Sequence, residues 1–150
     1  MTTTTRNDFV ETIVYNFTDE EVKSAYGVTI SELENGAWNQ SLEMVYNELV
    51  AEEETEFEFE LKRKYGDGII TALMSYYDDL EDVETYADRV YRIYADNLDE
   101  FGYAYALKFN TVDTNNELIC EFFDFESYGQ QVLLECNYSI VNGVYYIWWD

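Results

Sequence analysis

Carboxylates crowd this chain in runs that few folds tolerate. The stretch Glu43–Glu60 holds eight Asp and Glu with no Lys or Arg, and Asp78–Glu100 holds nine against Arg89 and Arg92. On a helix, Asp78 and Asp82, or Glu84 and Asp88, lie four residues apart, and Glu81 and Glu84 three. Each such like-charge pair destabilises by about 0.2–0.5 kcal/mol. The whole chain carries 32 acids against 8 bases and no His, a formal net charge of −24. Any fold must hold these charges outside a core large enough to outweigh their repulsion. The material for that core is present: 47% of residues are hydrophobic and 18% aromatic, with 15 Tyr, 9 Phe and 3 Trp. Acidic disordered segments are poor in aromatics. A chain of 150 residues buries roughly 68–70% of its unfolded surface, enough for one folded domain.

What the composition lacks narrows the chemistry. A net negative chain has no basic footprint for displacing phosphate counterions, which excludes ordinary nucleic-acid binding. Without His there is no Ser–His or Cys–His nucleophile pair and no imidazole zinc ligand. Cys120 and Cys136 are too few for a disulfide framework and are expected as buried thiols, one bridge being the alternative. No run of 18 apolar residues occurs, so no membrane segment is expected and the location is expected to be cytoplasmic. No cofactor and no metal site are expected. The acidic runs lack the alternating Asp/Asn pattern of a calcium loop, and no carboxylate pair stands out as a hydrolytic couple.

Along the chain, residues 1–7 are a polar, fraying lead-in. Asp8 is placed to cap a helix with the stripe Phe9, Val10, Ile13, Val14 and Phe17, a strand being the alternative. Thr18-Asp-Glu-Glu21 has the pattern of a capping box, with Gly27 as the stop, and Ser31-Glu-Leu-Glu34 repeats it. A further helix starts near Ser41, with Leu42, Val45, Tyr46 and Leu49 on one face. Strict alternation over Glu56–Lys62 predicts a strand, although the acidic helix before it can run on. Gly66-Asp-Gly68 leads into a helix bearing Ile69, Ile70, Leu73, Met74 and Tyr77. Asp78–Glu100 reads as one acidic helix ended by Gly102, with Val83, Tyr86, Ala87, Val90, Tyr94 and Leu98 inward. Tyr103–Phe109, Leu118–Phe125, Val132–Val141 and Val144–Trp148 look β-like. Asn142-Gly143 between apolar runs predicts a two-residue type I′ hairpin. The fold class expected is α+β: acidic helices with a small antiparallel sheet and a C-terminal hairpin. It forms either one unit over 1–150 or two small packed lobes, 8–66 and 67–150.

The segment Glu20–Gly36 has a helix-turn-helix rhythm, but its second helix offers Glu32 and Glu34 where a DNA reader needs Arg, Lys, Asn or Gln. Lys62-Arg63-Lys64, the one basic cluster, is expected at a solvated strand end. The acids themselves then need a reason. Keeping a Tyr-rich surface soluble is one, and adaptation to high salt is another. A third is imitation of nucleic acid. B-DNA carries one charge per roughly 1.7 Å of axis, so 24 charges correspond to about 41 Å, or roughly 12 base pairs. Carboxylates three or four residues apart on a helix lie about 4.5–6 Å apart along its axis, a spacing of the order found between phosphates.

Phe123-Asp-Phe-Glu-Ser-Tyr-Gly129, followed by Val132-Leu-Leu and the Asn142-Gly143 hairpin, resembles the end of the ArdA antirestriction family. That end has an aromatic-Asp-aromatic-x-x-aromatic-Gly stretch and a final hairpin. The resemblance is carried mainly by Phe123–Trp148. Upstream, Ala87–Gly102 is similar in kind to the helix that holds the family's antirestriction motif. Gln130-Gln131 stands where the family often has Arg-Asp, and the N-terminal third does not align. The resemblance implies an elongated, acidic, dimeric DNA mimic from a phage or mobile element, not an enzyme. It would occupy the DNA-binding groove of type I restriction–modification enzymes and bind no nucleic acid or membrane itself. The expected phosphate surrogates are Glu52, Glu53, Glu54, Glu56, Asp78, Asp79, Glu81, Asp82, Glu84, Asp88, Asp96, Asp99 and Glu100. C-terminal Tyr and Phe would pack the core or a homodimer contact. The same electrostatics also suit an anti-CRISPR protein in the DNA- or guide-binding channel of an effector, or an acidic binder of another basic DNA-binding protein.

Overall fold

A computed structural model describes residues 3–150; of the polar lead-in, Met1 and Thr2 lie outside the described residues. The chain divides into a first compact unit ending at Glu58 and a second over Phe59–Asp150. The division falls inside a helix rather than at the Gly66 turn.

The first unit is helical because its sequence is punctuated by caps. Helix α1 (Arg6–Asn16) is capped by Thr5, with Asp8 as the reciprocal partner in the first turn. The cap is therefore Thr5 and not Asp8. The lead-in is not frayed as far as Asn7, because Arg6 and Asn7 are already helical. Helix α2 (Asp19–Tyr26) has the expected box between Thr18 and Glu21 and ends at Gly27. Helix α3 (Ile30–Glu34) starts two residues earlier than expected, because Thr29 rather than Ser31 is the cap and accepts from Glu32 N. Phe9, Ile13, Val22, Leu33 and Leu42 meet in one buried cluster. Phe9, Trp38 and Tyr46 form an aromatic triangle beside it, with ring centroids 5.7–6.1 Å apart. Helix α4 (Gln40–Tyr65) passes through the predicted strand Glu56–Lys62 without a break. Alternation misleads there: an established helix extends one residue at a time at little cost, and Leu61 is buried from helical geometry.

The second unit places a three-stranded antiparallel sheet between two helical layers. Strands β1 (Tyr91–Tyr94), β2 (Asn137–Val141) and β3 (Val144–Trp148) lie in the order β1-β3-β2. The β2–β3 turn is the expected one: Asn142 and Gly143 have φ of 50° and 75°, the left-handed pair of a type I′ hairpin. The central strand β3 is buried on both faces. Tyr145 and Ile147 pack on one side with Phe101 and Val132, and the Phe101 and Tyr145 rings stack at 4.5 Å. Tyr146 and Trp148 face the other side, where Trp148 Nε1 donates to Tyr77 Oη at 3.1 Å. Helices α5 (Asp67–Met74) and α6 (Leu80–Tyr86) cover that side; α7 (Leu98–Phe109) and α9 (Phe125–Glu135) cover the first.

Several expectations fail here for one reason: polar caps cut the chain where hydrophobic periodicity does not show it. Asp78–Glu100 is not one helix. Asp79 caps α6, a 3-10 turn follows at Ala87–Arg89, and Tyr91–Tyr94 is a strand. Asn97 then caps α7, so Gly102 lies inside a helix instead of ending one, and Tyr103–Phe109 is helical rather than extended. Asn116 caps α8 (Glu117–Phe122) and Asp124 caps α9, so residues 118–122 and 132–135 are helical where strands are expected; the last five residues of the expected strand Val132–Val141 are extended, as β2. Both cysteines are free and half-buried, and burial pushes the Cys136 thiol up to about 11. No helix among the described residues is long and apolar enough to cross a membrane.

The Asp124 cap makes a pH prediction. Its carboxylate accepts from Ser127 N at 3.0 Å and Ser127 Oγ at 2.7 Å, and these bonds hold its pKa below the ordinary value. A carboxyl depressed by folding adds stability above its unfolded pKa and loses it as pH falls through the folded one. Asp124→Asn is therefore expected to lose less stability than the wild type on acidification below about pH 4. Parallel melting profiles for the two proteins would show that the cap charge contributes nothing.

Candidate acidic binding surface

The helix α4 displays its acids as a row. Four residues advance about 6 Å along a helix and return to nearly the same side. Glu52 and Glu56 are related in this way, and both are exposed. Glu48 precedes Glu52 and Glu60 follows Glu56 by the same step; both are exposed and extend the row, although neither is among the residues singled out by sequence. The i,i+4 spacing was the signal that could have found them. Glu54 is exposed on another side of the helix. Glu53 is turned elsewhere: its carboxylate accepts from Thr4 N at 2.9 Å and Thr4 Oγ1 at 2.5 Å. Glu53 holds the N-terminal segment and is removed from the surrogates.

The remaining nine lie in the second unit, all exposed, but not on one helix. Asp78 is in the turn before α6, and Asp79 is its cap, accepting from Glu81 N at 2.9 Å. Glu81, Asp82 and Glu84 are on α6, and Asp88 is in the 3-10 turn. The like-charge pair Asp78–Asp82 is therefore not a helical pair, and Glu84–Asp88 crosses the end of α6. Asp96 precedes the Asn97 cap, while Asp99 and Glu100 lie in the first turn of α7. Glu100 accepts from Asp96 N at 2.9 Å. Five of these acids thus crowd two helix N-termini, where the macrodipole favours negative charge by about 0.3–1 kcal/mol each. Their cost to the fold is smaller than spacing on one continuous helix implies.

The acids outnumber the bases by 32 to 8, and several of the cations are engaged with rings or main chain. The side chains of Arg6, Lys64, Arg89 and Lys108 sit over the rings of Trp38, Tyr65, Tyr86 and Tyr91, at 4.8–5.7 Å from the centroids. Arg92 donates to the Tyr65 carbonyl at 3.3 Å. Arg6 also pairs with Glu43 at 2.7 Å. The Lys62-Arg63-Lys64 cluster is not at a strand end but in the last turn of α4, where cations complement the helix dipole. The Glu20–Gly36 segment forms two short packed helices whose second member exposes Glu32 and Glu34. Comparison with known proteins finds no matching family model, no matching curated protein and no matching solved structure.

A surface so one-sided repels itself, and screening relieves that repulsion. The melting temperature is expected to rise between low and moderate concentrations of a monovalent salt. A flat response would show the carboxylates already neutralised.

Proposed function

We propose that the protein is a DNA mimic that inhibits a bacterial defence nuclease, and that its target is the DNA-binding groove of a type I restriction–modification enzyme. The observation that carries this reading is the number of exposed carboxylates, in the α4 row and around the starts of α6 and α7, in a chain with 32 acids and 8 bases. A groove that reads duplex DNA gains most of its affinity from phosphate charge. Carboxylates at helical spacing offer a substitute for it. Inhibition of this kind asks for no catalytic group and no cofactor. The type I target comes from the resemblance of Phe123–Trp148 to the ArdA family, which also implies a homodimer acting in the bacterial cytoplasm. In this chain that stretch forms α9 and the terminal hairpin.

The test is cleavage of unmodified plasmid by a purified type I enzyme as the protein is titrated in. Cleavage is expected to stop at roughly stoichiometric protein. Full cleavage in excess protein removes the type I target; a CRISPR effector blocked under the same conditions would move the mimicry to that enzyme.

A further inference from the structure

The sheet of the second unit has two edges, and the fold treats them differently. Main-chain groups on an open edge are a template for another strand, so proteins guard edges with charges, bulges, prolines or covering segments. In β1 the residues whose N–H and C=O point away from β3 are Arg92 and Tyr94, because the pairs Tyr91↔Ile147 and Ile93↔Tyr145 use the inward groups. Arg92 guards that edge: it is charged and its guanidinium bonds the Tyr65 carbonyl. The Gly66 turn also lies against it, since a Cβ at Gly66 would be 2.7 Å from Arg92 Nη2.

Among the described residues the β2 edge has none of these guards. The type I′ turn makes Val141 and Val144 the closing hydrogen-bonded pair, so Ser139↔Tyr146 and Asn137↔Trp148 are hydrogen-bonded too. The N–H and C=O of Tyr138 and Ile140 therefore face the open side. Their side chains are 44% and 50% exposed. The strand Asn-Tyr-Ser-Ile-Val carries no charge, no proline and no bulge, in a chain where 27% of residues are charged. Of the elements packed on it, α5 carries Asp67 and α9 carries Glu126 and Glu135, β3 is uncharged, and none contains a base. After Lys108 the chain holds seven Asp and Glu and no Lys or Arg.

We infer that the free edge of β2 is a strand-addition site for an extended, cationic segment of a partner protein. The backbone ladder would supply affinity, and Tyr138 and Ile140 two apolar contacts on one face. The surrounding acids set the sign of the occupant. A second copy of the chain brings the same charge of −24 against itself and is disfavoured. The sign of the occupant agrees with the basic partner proposed above and rests on that reading; the edge itself does not.

The probe is a short capped peptide alternating Lys and Val, with an alternate-residue N-methylated form and a Glu–Val form as controls. Binding is expected for the Lys–Val peptide alone, with slowed amide exchange at Tyr138 and Ile140. Tyr138→Pro, which deletes an outward N–H, is expected to weaken binding about tenfold. Ile140→Lys puts a charge on the edge without touching the ladder, and is expected to weaken it comparably while the fold signal is unchanged. Equal affinity for the N-methylated peptide, or unchanged affinity in both variants, overturns strand addition. Concentration-dependent protection of Tyr138 and Ile140 without peptide assigns the edge to a second copy and overturns the cationic occupant. Either result leaves the mimicry untouched, because plasmid cleavage tests that separately.

Discussion

Replacing Gly102 with alanine is expected to destabilise the second unit by about 3 kcal/mol, the upper range for overpacking a filled site. The helices α7 and α9 cross with their backbones in contact at a pair of glycines. A Cβ on Gly102 would lie 1.9 Å from the Phe125 carbonyl oxygen and 3.0 Å from Gly129 N; one on Gly129 would lie 2.7 Å from the Leu98 carbonyl oxygen. These are main-chain atoms with no rotamer to swing away. Helix propensity pulls the other way, Ala being better than Gly by about 1 kcal/mol in a helix interior. The sign of the change therefore reports the crossing and not the helix. Gly129→Ala is expected to cost less than Gly102→Ala, and the pair to be non-additive, since each residue lines the other's contact. The measurement is the denaturation midpoint of each variant. A midpoint equal to or above the wild type would mean that α7 and α9 do not approach as described.

Neutralising the α4 row should separate inhibition from stability. Glu48→Gln, Glu52→Gln and Glu56→Gln together remove three like-charge pairs at i,i+4, Glu48–Glu52, Glu52–Glu56 and Glu56–Glu60, relieving about 0.2–0.5 kcal/mol for each. The variant is expected to melt at or above the wild-type temperature. Its inhibitory potency is expected to fall about tenfold, taking about 0.5 kcal/mol for each lost interfacial charge and 1.4 kcal/mol per decade. A second set on the other unit, Glu81→Gln, Asp82→Asn and Asp88→Asn, is expected to act in the same direction. Full potency in both sets would assign the acids to solubility alone. Lower potency together with lower stability would point to a damaged fold.

The hairpin and the first unit were legible because their signals are local. Asn142-Gly143 asks for two positive φ values, and the Thr18–Glu21 box is written in four consecutive residues. The second unit was harder because its elements are short and defined by caps. Asn97, Asn116 and Asp124 each start a helix, yet the apolar patterns after them suit strand as well as helix. Strand β1 was hidden inside an acid-rich run that looked continuous. Gly102 looks like a helix stop in sequence because nothing there shows that a second glycine, Gly129, lies against it in space. The acid surface was legible in composition and only partly in position. Glu53 faces Thr4, a contact 49 residues away in sequence that no periodicity encodes, while Glu48 and Glu60 extend a row that the spacing alone could have shown.

Mimicry makes its sharpest claim about exclusion: one groove cannot hold the protein and duplex DNA together. The decisive measurement is displacement of a fluorescent duplex from a type I restriction–modification enzyme by the protein, at several duplex concentrations and two salt concentrations. Complete displacement is predicted, with a midpoint that rises in proportion to duplex concentration and an affinity that falls as salt is added. A ternary complex in which the duplex keeps its fluorescence signal while the protein is bound would contradict it.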